Sequence, residues 1–155
     1  MVRYDTIPMI GQAYMYGCWI ASFQMLKSWA ANSTVSTQPY CSDSWKGPNG
    51  GLNTDPDSMS QFADANGLTL TNGPSFGSLK SLITNGPIMA VGVFPGVGTH
   101  FYVIGGMDTD QPFANTAFDL YDPMPVGAGK KSLSLSVKDF KTTYPQCCAA
   151  VFQLA

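Results

Sequence analysis

Cys18 directly follows Gly17, where the longest helical pattern in the chain begins. A cysteine in that place could act as a nucleophile. The reactive species is the thiolate, which the partial positive charge of a helix N-terminus and a neighbouring imidazolium both favour. Taken alone, a free cysteine is more often a buried apolar residue. His100 changes that balance. It is the only histidine in 155 residues, and it opens an apolar run after the turn Pro95-Gly96-Val97-Gly98. The end of a strand is a rigid place from which an imidazole can reach another element.

A general base of this kind needs a third group on its other ring nitrogen. Asp122, in Tyr121-Asp122-Pro123, ends the next apolar run, and antiparallel neighbours would bring the two strand ends together. Asp119 is the rival, but strand alternation puts it on the opposite face from Asp122. Charge developing on an attacked carbonyl needs donors. The Cys18 N–H and the side-chain amide of Gln12, six residues upstream, are the candidates. Gly17, Trp19 and Thr99 flank the two reactive side chains and are assigned to substrate binding, with Trp19 equally readable as a core aromatic.

These side chains must be carried by definite elements. Trp19, Ile20, Phe23, Met25, Leu26 and Trp29 recur at helical spacing from Cys18 to about Ala31, uninterrupted by Gly or Pro. So wide an apolar face predicts a helix buried on most sides. Residues 32–54, rich in Ser, Thr, Asn, Gly and Pro, predict a long loop of the kind that is more often functional than idle. Its Tyr40 and Trp45 are candidates to line a substrate groove. Asp55-Pro56-Asp57 opens a second helix that Asn66-Gly67 ends, and Ser75 to Thr84 makes a third. Strand patterns follow at Ile88–Phe94, His100–Met107, Thr116–Tyr121, Ser132–Ser136 and Ala149–Leu154, with a short helix at Val137–Thr143. Helices first and antiparallel strands afterwards predict an α+β fold, with residues 1–155 as a single domain.

Composition excludes several classes. Charged residues make up 12% of the chain, against about 25% in ordinary domains, and the formal net charge is −2. With eight Lys and Arg and no basic cluster, a nucleic-acid partner is not expected. No apolar run reaches the roughly 18 residues of a membrane span. The N-terminal segment lacks the apolar core of a signal peptide, so the chain is cytoplasmic, or travels by another route, or begins after a removed segment. Cys18, Cys41, Cys147 and Cys148 show no C-x-x-C spacing, and no second histidine accompanies them, so no metal or other cofactor is expected. The vicinal Cys147-Cys148 pair is a poor disulfide framework, and Cys18 should stay free.

The segment from Ile7-Pro8-Met9-Ile10-Gly11-Gln12 through Gly17-Cys18-Trp19-Ile20-Ala21-Ser22 resembles the papain-like cysteine peptidases. In them a glutamine stands six residues before a Cys-Trp pair that opens a helix. Asn85-Gly86-Pro87-Ile88-Met89-Ala90-Val91 is similar to the segment entering that fold's barrel. Gly98-Thr99-His100-Phe101-Tyr102-Val103-Ile104-Gly105-Gly106 resembles its histidine strand. Tyr121-Asp122-Pro123 resembles the Asp-Pro form found in the compact bacterial C39-like and AvrRpt2-like branches. The resemblance implies a central catalytic helix packed on a C-terminal antiparallel sheet or half-barrel. It implies Cys18 as nucleophile, His100 as acid and base, Asp122 as its orienter and Gln12 as an oxyanion donor. It also implies a peptide or protein substrate and a role as a secreted bacterial effector. Two rivals stand beside this reading: an amidase toxin cutting cell-wall peptides with the same residues, for which a dedicated inhibitor or immunity protein would be expected, and a binding module that keeps the fold, whose expected sign is the loss of Cys18, Gln12 or His100.

Overall fold

Helix α1 (Cys18–Ala31) starts and stops where its sequence predicts. Gly17 is its N-cap and makes no side-chain hydrogen bond, so the amide groups of the first turn are left open. Asn32 ends it in the left-handed conformation, at φ 50°. The computed structural model describes residues 1–36, 41–94, 98–143 and 146–155, apart from the side chains of residues 94, 143, 146 and 147. Tyr40, Cys147's side chain and most of the turn before His100 therefore lie outside the described residues.

The other helices follow from their caps. Asp55 accepts from the Ser58 N–H, and Pro56 sets the first turn of α2 (Pro56–Ala65). Ser75 accepts from the Ser78 N–H at the start of α3 (Phe76–Ile83). A last short helix, α4, covers Val137–Thr143. The strands are β1 (Val2–Arg3), β2 (Leu68–Asn72), β3 (Ile88–Phe94), β4 (Gly98–Met107), β5 (Ala117–Asp122), β6 (Lys130–Ser136) and β7 (Gln146–Leu154). Two of these depart from the sequence reading. Strand β2 falls where no strand is expected, although Leu68 and Leu70 alternate with polar residues. The two-residue β1 lies in a segment expected only to be extended and loop-like.

The seven strands form one antiparallel sheet in the order β2-β7-β3-β4-β5-β6, with β1 also paired to β4. The architecture is α+β. Two cores lie on its two faces. One gathers Trp19, Phe23 and Leu26 of α1 with Phe62 of α2, Phe101, Val103 and Phe152. The other gathers Leu79, Ile83 and Phe140 with Tyr102, Ile104 and Leu120. Because β4 sends alternate side chains into both cores, Phe101 to Met107 is buried throughout. In the described residues no helix is long and apolar enough to cross a membrane.

One irregularity in the sheet decides which way Asp122 faces. Along β4 and β5 the pairing runs Val103 with Tyr121 and Ile104 with Leu120, then shifts to Gly106 with Asp119. Gly105 is the extra residue of this bulge. A side chain there would clash with the Tyr121 ring, a Cβ lying 2.5 Å from it. Continuing the Val103–Tyr121 register sets Asp122 across from Tyr102, on the strand face shared with His100. Without the shift, Asp122 would stand across from Val103, on the other face.

Candidate active site

Cys18, buried to 7% exposure, begins α1, and His100, also at 7%, lies near the start of β4. The two side chains line the same cleft, and Cys18 is near enough to help raise the His100 pKa. The His100 Nε2 lies 2.7 Å from Asp122 Oδ1. Asp122 Oδ1 also accepts the Met124 N–H at 2.9 Å, which fixes the carboxylate at the end of β5. Below the imidazole lies the Tyr102 ring, stacked at 6.4 Å with an interplanar angle of 25°.

Electrostatics set the charge on this imidazole. Burial works to lower the His100 pKa. The hydrogen bond to Asp122, the nearby Cys18 and the charges of both outweigh it, and the value rises from 6.5 to about 9. His100 is therefore a cation at neutral pH, held between a carboxylate and a sulfur. Asp119 takes no part here. It is fully buried on the opposite strand face, where Arg3 Nε and the Ser134 N–H bind its carboxylate.

Cys18 and His100 open into a cleft of about 500 Å³. Its walls carry the apolar side chains of Met15, Tyr16, Leu52 and Met124 and the amides of Asn49 and Asn53; His100 is the only basic residue, and no acidic one is present among the described residues. The arrangement suits thiol attack on a carbonyl in an uncharged, extended chain, with an imidazolium to protonate what leaves.

The family described as papain-like cysteine protease AvrRpt2 matches residues 1–144. The chain belongs to that family. Among solved structures it is similar to the peptidase domain of Streptococcus ComA, a bi-functional ABC transporter involved in a quorum sensing pathway. That similarity has a TM-score of 0.60 at 16% identity, over 94% of this chain and 96% of that one, and it shows the shared papain-like fold. No curated protein sequence matches the chain.

The remaining side chains of this AvrRpt2-family site fall less simply. Thr99 lines the cleft. Gly17 does not line it; it caps α1, and a Cβ there would lie 3.1 Å from the Tyr14 ring. Trp19 is a core residue rather than a substrate contact. It is fully buried, edge-on to Phe62 at 5.6 Å, and its Nε1 donates to the Gly50 carbonyl at 3.0 Å. Trp45 likewise packs on Phe62, at 5.6 Å, away from the cleft. The part of the long loop that does form a wall is residues 47–53, a small hairpin closed by the Lys46–Leu52 bridge. Its signal was the turn-rich Gly47-Pro48-Asn49-Gly50-Gly51, which marks a bend without saying what the bend faces. Met15, Tyr16 and Met124 carry no such signal and were missed.

Gln12 is wholly buried and does not line the cleft. Its Nε2 donates to the Tyr14 carbonyl at 3.0 Å and to the Met15 carbonyl at 2.6 Å. Of the cysteines, Cys18 carries a free thiol. Cys148 is disulfide-bonded, which corrects the reading of its segment as a poor framework. No three His, Cys, Asp or Glu side chains converge as metal ligands among the described residues.

Proposed function

We propose that the chain hydrolyses amide bonds in peptides or proteins through Cys18, His100 and Asp122. The observation that carries the reading is the His100 ring, held by Asp122 Oδ1 at 2.7 Å, in the wall of one cleft with Cys18. Cys18 Sγ attacks the carbonyl carbon, and the carbonyl electrons pass to its oxygen. The Cys18 N–H, unpaired by its place in the first helical turn, faces that negative charge as donor. The intermediate collapses as the His100 Nδ1–H protonates the leaving amine, and an acyl thioester remains on Cys18. His100, now neutral, takes a proton from water, whose oxygen displaces the thiolate and restores the imidazolium. Asp122 keeps the ring oriented throughout.

The same chemistry would serve a cell-wall amidase. The character of the cleft supports the peptide reading instead, because stem peptides carry carboxylates and no described side chain in the cleft other than His100 offers them a positive charge. A panel of neutral peptides and purified muropeptides, incubated with wild type, Cys18→Ala and His100→Ala and followed by mass spectrometry, tests this. Peptide cleavage is expected in wild type, reduced about 10⁴-fold or more in either variant. Cleavage that survives Cys18→Ala, or is confined to muropeptides, would overturn the reading.

A further inference from the structure

We propose that Asp119 is a positioning residue, whose buried carboxylate locks β5 in the register that turns Asp122 toward His100. The inference rests on Asp122 being the group that holds His100. Asp119 is the β5 residue at the level of two bulges. On one side β4 carries the extra residue Gly105. On the other, the β5–β6 pairing shifts between Phe118 with Leu135 and Leu120 with Ser132, which leaves one extra residue on β6. In both places two residues of the neighbouring strand face a single residue of β5.

Four strands meet at this carboxylate. Its Oδ1 accepts the Ser134 N–H of β6 at 2.7 Å, and Ser134 holds φ 52°, a conformation that side chains seldom adopt. Arg3 of β1 binds both oxygens, Nε to Oδ2 and Nη2 to Oδ1, and Nη2 also donates to Ser134 Oγ at 3.0 Å. Arg3 pairs with Gly106 and Gly106 with Asp119, so the three stand in one row across β1, β4 and β5. The guanidinium can cross β4 there because Gly106 has no side chain; a Cβ would lie 2.5 Å from Asp119 Oδ2. The Tyr4 N–H grips the bulge itself, donating to the Gly105 carbonyl at 2.9 Å. A one-residue slip of β5 would turn Asp122 to the other face. The same slip would carry Asp119 away from Arg3 and Ser134 and leave a buried carboxylate unpaired, which is a costly state. Asp119 therefore acts on the site through β5, three residues before Asp122.

His100 is the only histidine in the sequence, so NMR follows a single imidazole titration with no substrate present. Cys18 of α1, Tyr102 of β4 and Asp122 of β5 are the titratable groups beside it. In wild type the midpoint should lie near about 9, and loss of Asp122 should move it toward 6.5. Asp119→Ala should move it the same way as Asp122→Asn and weaken the nuclear Overhauser contacts between Val103 and Tyr121. It should also lower kcat/KM by about ten-fold or more. Added to Asp122→Asn, it should shift the midpoint no further, because one residue acts through the other. A merely structural Asp119 would lower the melting temperature and leave the midpoint and the Overhauser contacts of the folded protein unchanged. That result would overturn the proposal, as would a shift of equal size in both backgrounds. Should Asp119→Ala fail to fold, Asp119→Asn decides. It keeps an acceptor for the Ser134 N–H and gives up the ion pair with Arg3, whose side chain is one-third exposed and can turn to water. A smaller shift in the same direction is expected there, and an unchanged midpoint overturns the assignment. A wild-type midpoint near 6.5 would show that Asp122 does not hold His100 and would overturn both readings. A midpoint near about 9 without peptide cleavage would count against the proposed function alone and leave the comparison of variants intact.

Discussion

His100 meets two opposed demands, since burial favours its neutral form while Asp122 and Cys18 favour the cation, and the cation prevails up to about pH 9. A pKa raised on folding stabilises the folded state where the group is charged in it. That contribution is fully present below about 6.5 and is lost as the pH rises through about 9. Asp122→Asn should therefore lower the melting temperature clearly at pH 6 and only slightly at pH 10, by calorimetry at the two values. An equal deficit at both would contradict the charge assignment. Activity should fall along the same limb, because the proton meant for the leaving amine is gone; a kcat/KM profile that keeps rising past about pH 9 would argue against His100 as the acid. In Asp122→Asn, turnover at neutral pH is expected to drop by about 10²–10⁴.

At the scale of elements, the site depends on two local arrangements. The first is the hairpin of residues 47–53, whose Gly50 carbonyl accepts from both Trp19 Nε1 and Tyr14 Oη at 3.0 Å. These bonds hold the cleft wall to the beginning of α1. Trp19→Phe removes one donor and keeps most of the packing, so a loss of about 1 kcal/mol is expected in urea unfolding. On the proposed function, steady-state kinetics should show KM rising more than kcat falls, because the hairpin forms a wall of the cleft and carries none of Cys18, His100 or Asp122. The second is the β4–β5 bulge. Gly106 sits against Asp119, and a Cβ there would come within 2.5 Å of the carboxylate and 3.0 Å of the Val2 carbonyl. Gly106→Ala should destabilise by about 1–3 kcal/mol. It should also cost activity beyond the unfolded fraction, since the bulge sets the register that turns Asp122 toward His100.

Over the whole molecule, one aromatic cluster joins the parts that form the site. Phe62 of α2 meets Trp19 and Phe23 of α1, Trp45 of the long loop and Phe152 of β7, each edge-on at 5.4–5.7 Å. Edge-to-face contacts of this kind add to what area burial alone contributes. Because Phe62 is wholly buried, Phe62→Ala should cost about 3–5 kcal/mol, read as a lower urea midpoint at an unchanged slope. The same truncation removes support from beneath both α1 and the hairpin. An unfolding midpoint within error of wild type would show that the fold does not depend on this cluster.

Local order was legible in the residues themselves. The span of α1, the caps at Asp55 and Ser75, the strands either side of His100 and the sequential order of Gln12, Cys18, His100 and Asp122 can all be read from spacing. Helical and strand periodicities are properties of neighbouring residues, and caps are set by one or two side chains. Alternation also separated Asp122 from Asp119, although the bulge at Gly105 that brings Asp122 to the histidine's face was not foreseen. Only the folded chain decided which atoms long-range partners satisfy. It turned the Gln12 amide to the Tyr14 and Met15 carbonyls, put Trp19 and Trp45 into the core, and built the cleft from residues 47–53 with Met15, Tyr16 and Met124. It also paired β2 with β7 and committed Cys148 to a disulfide. Most of those outcomes depend on contacts between residues far apart in sequence, and the local ones, Gln12 to Tyr14 and Met15, on the conformation of a loop; in both cases a side chain's chemistry names its possible partners and packing selects among them.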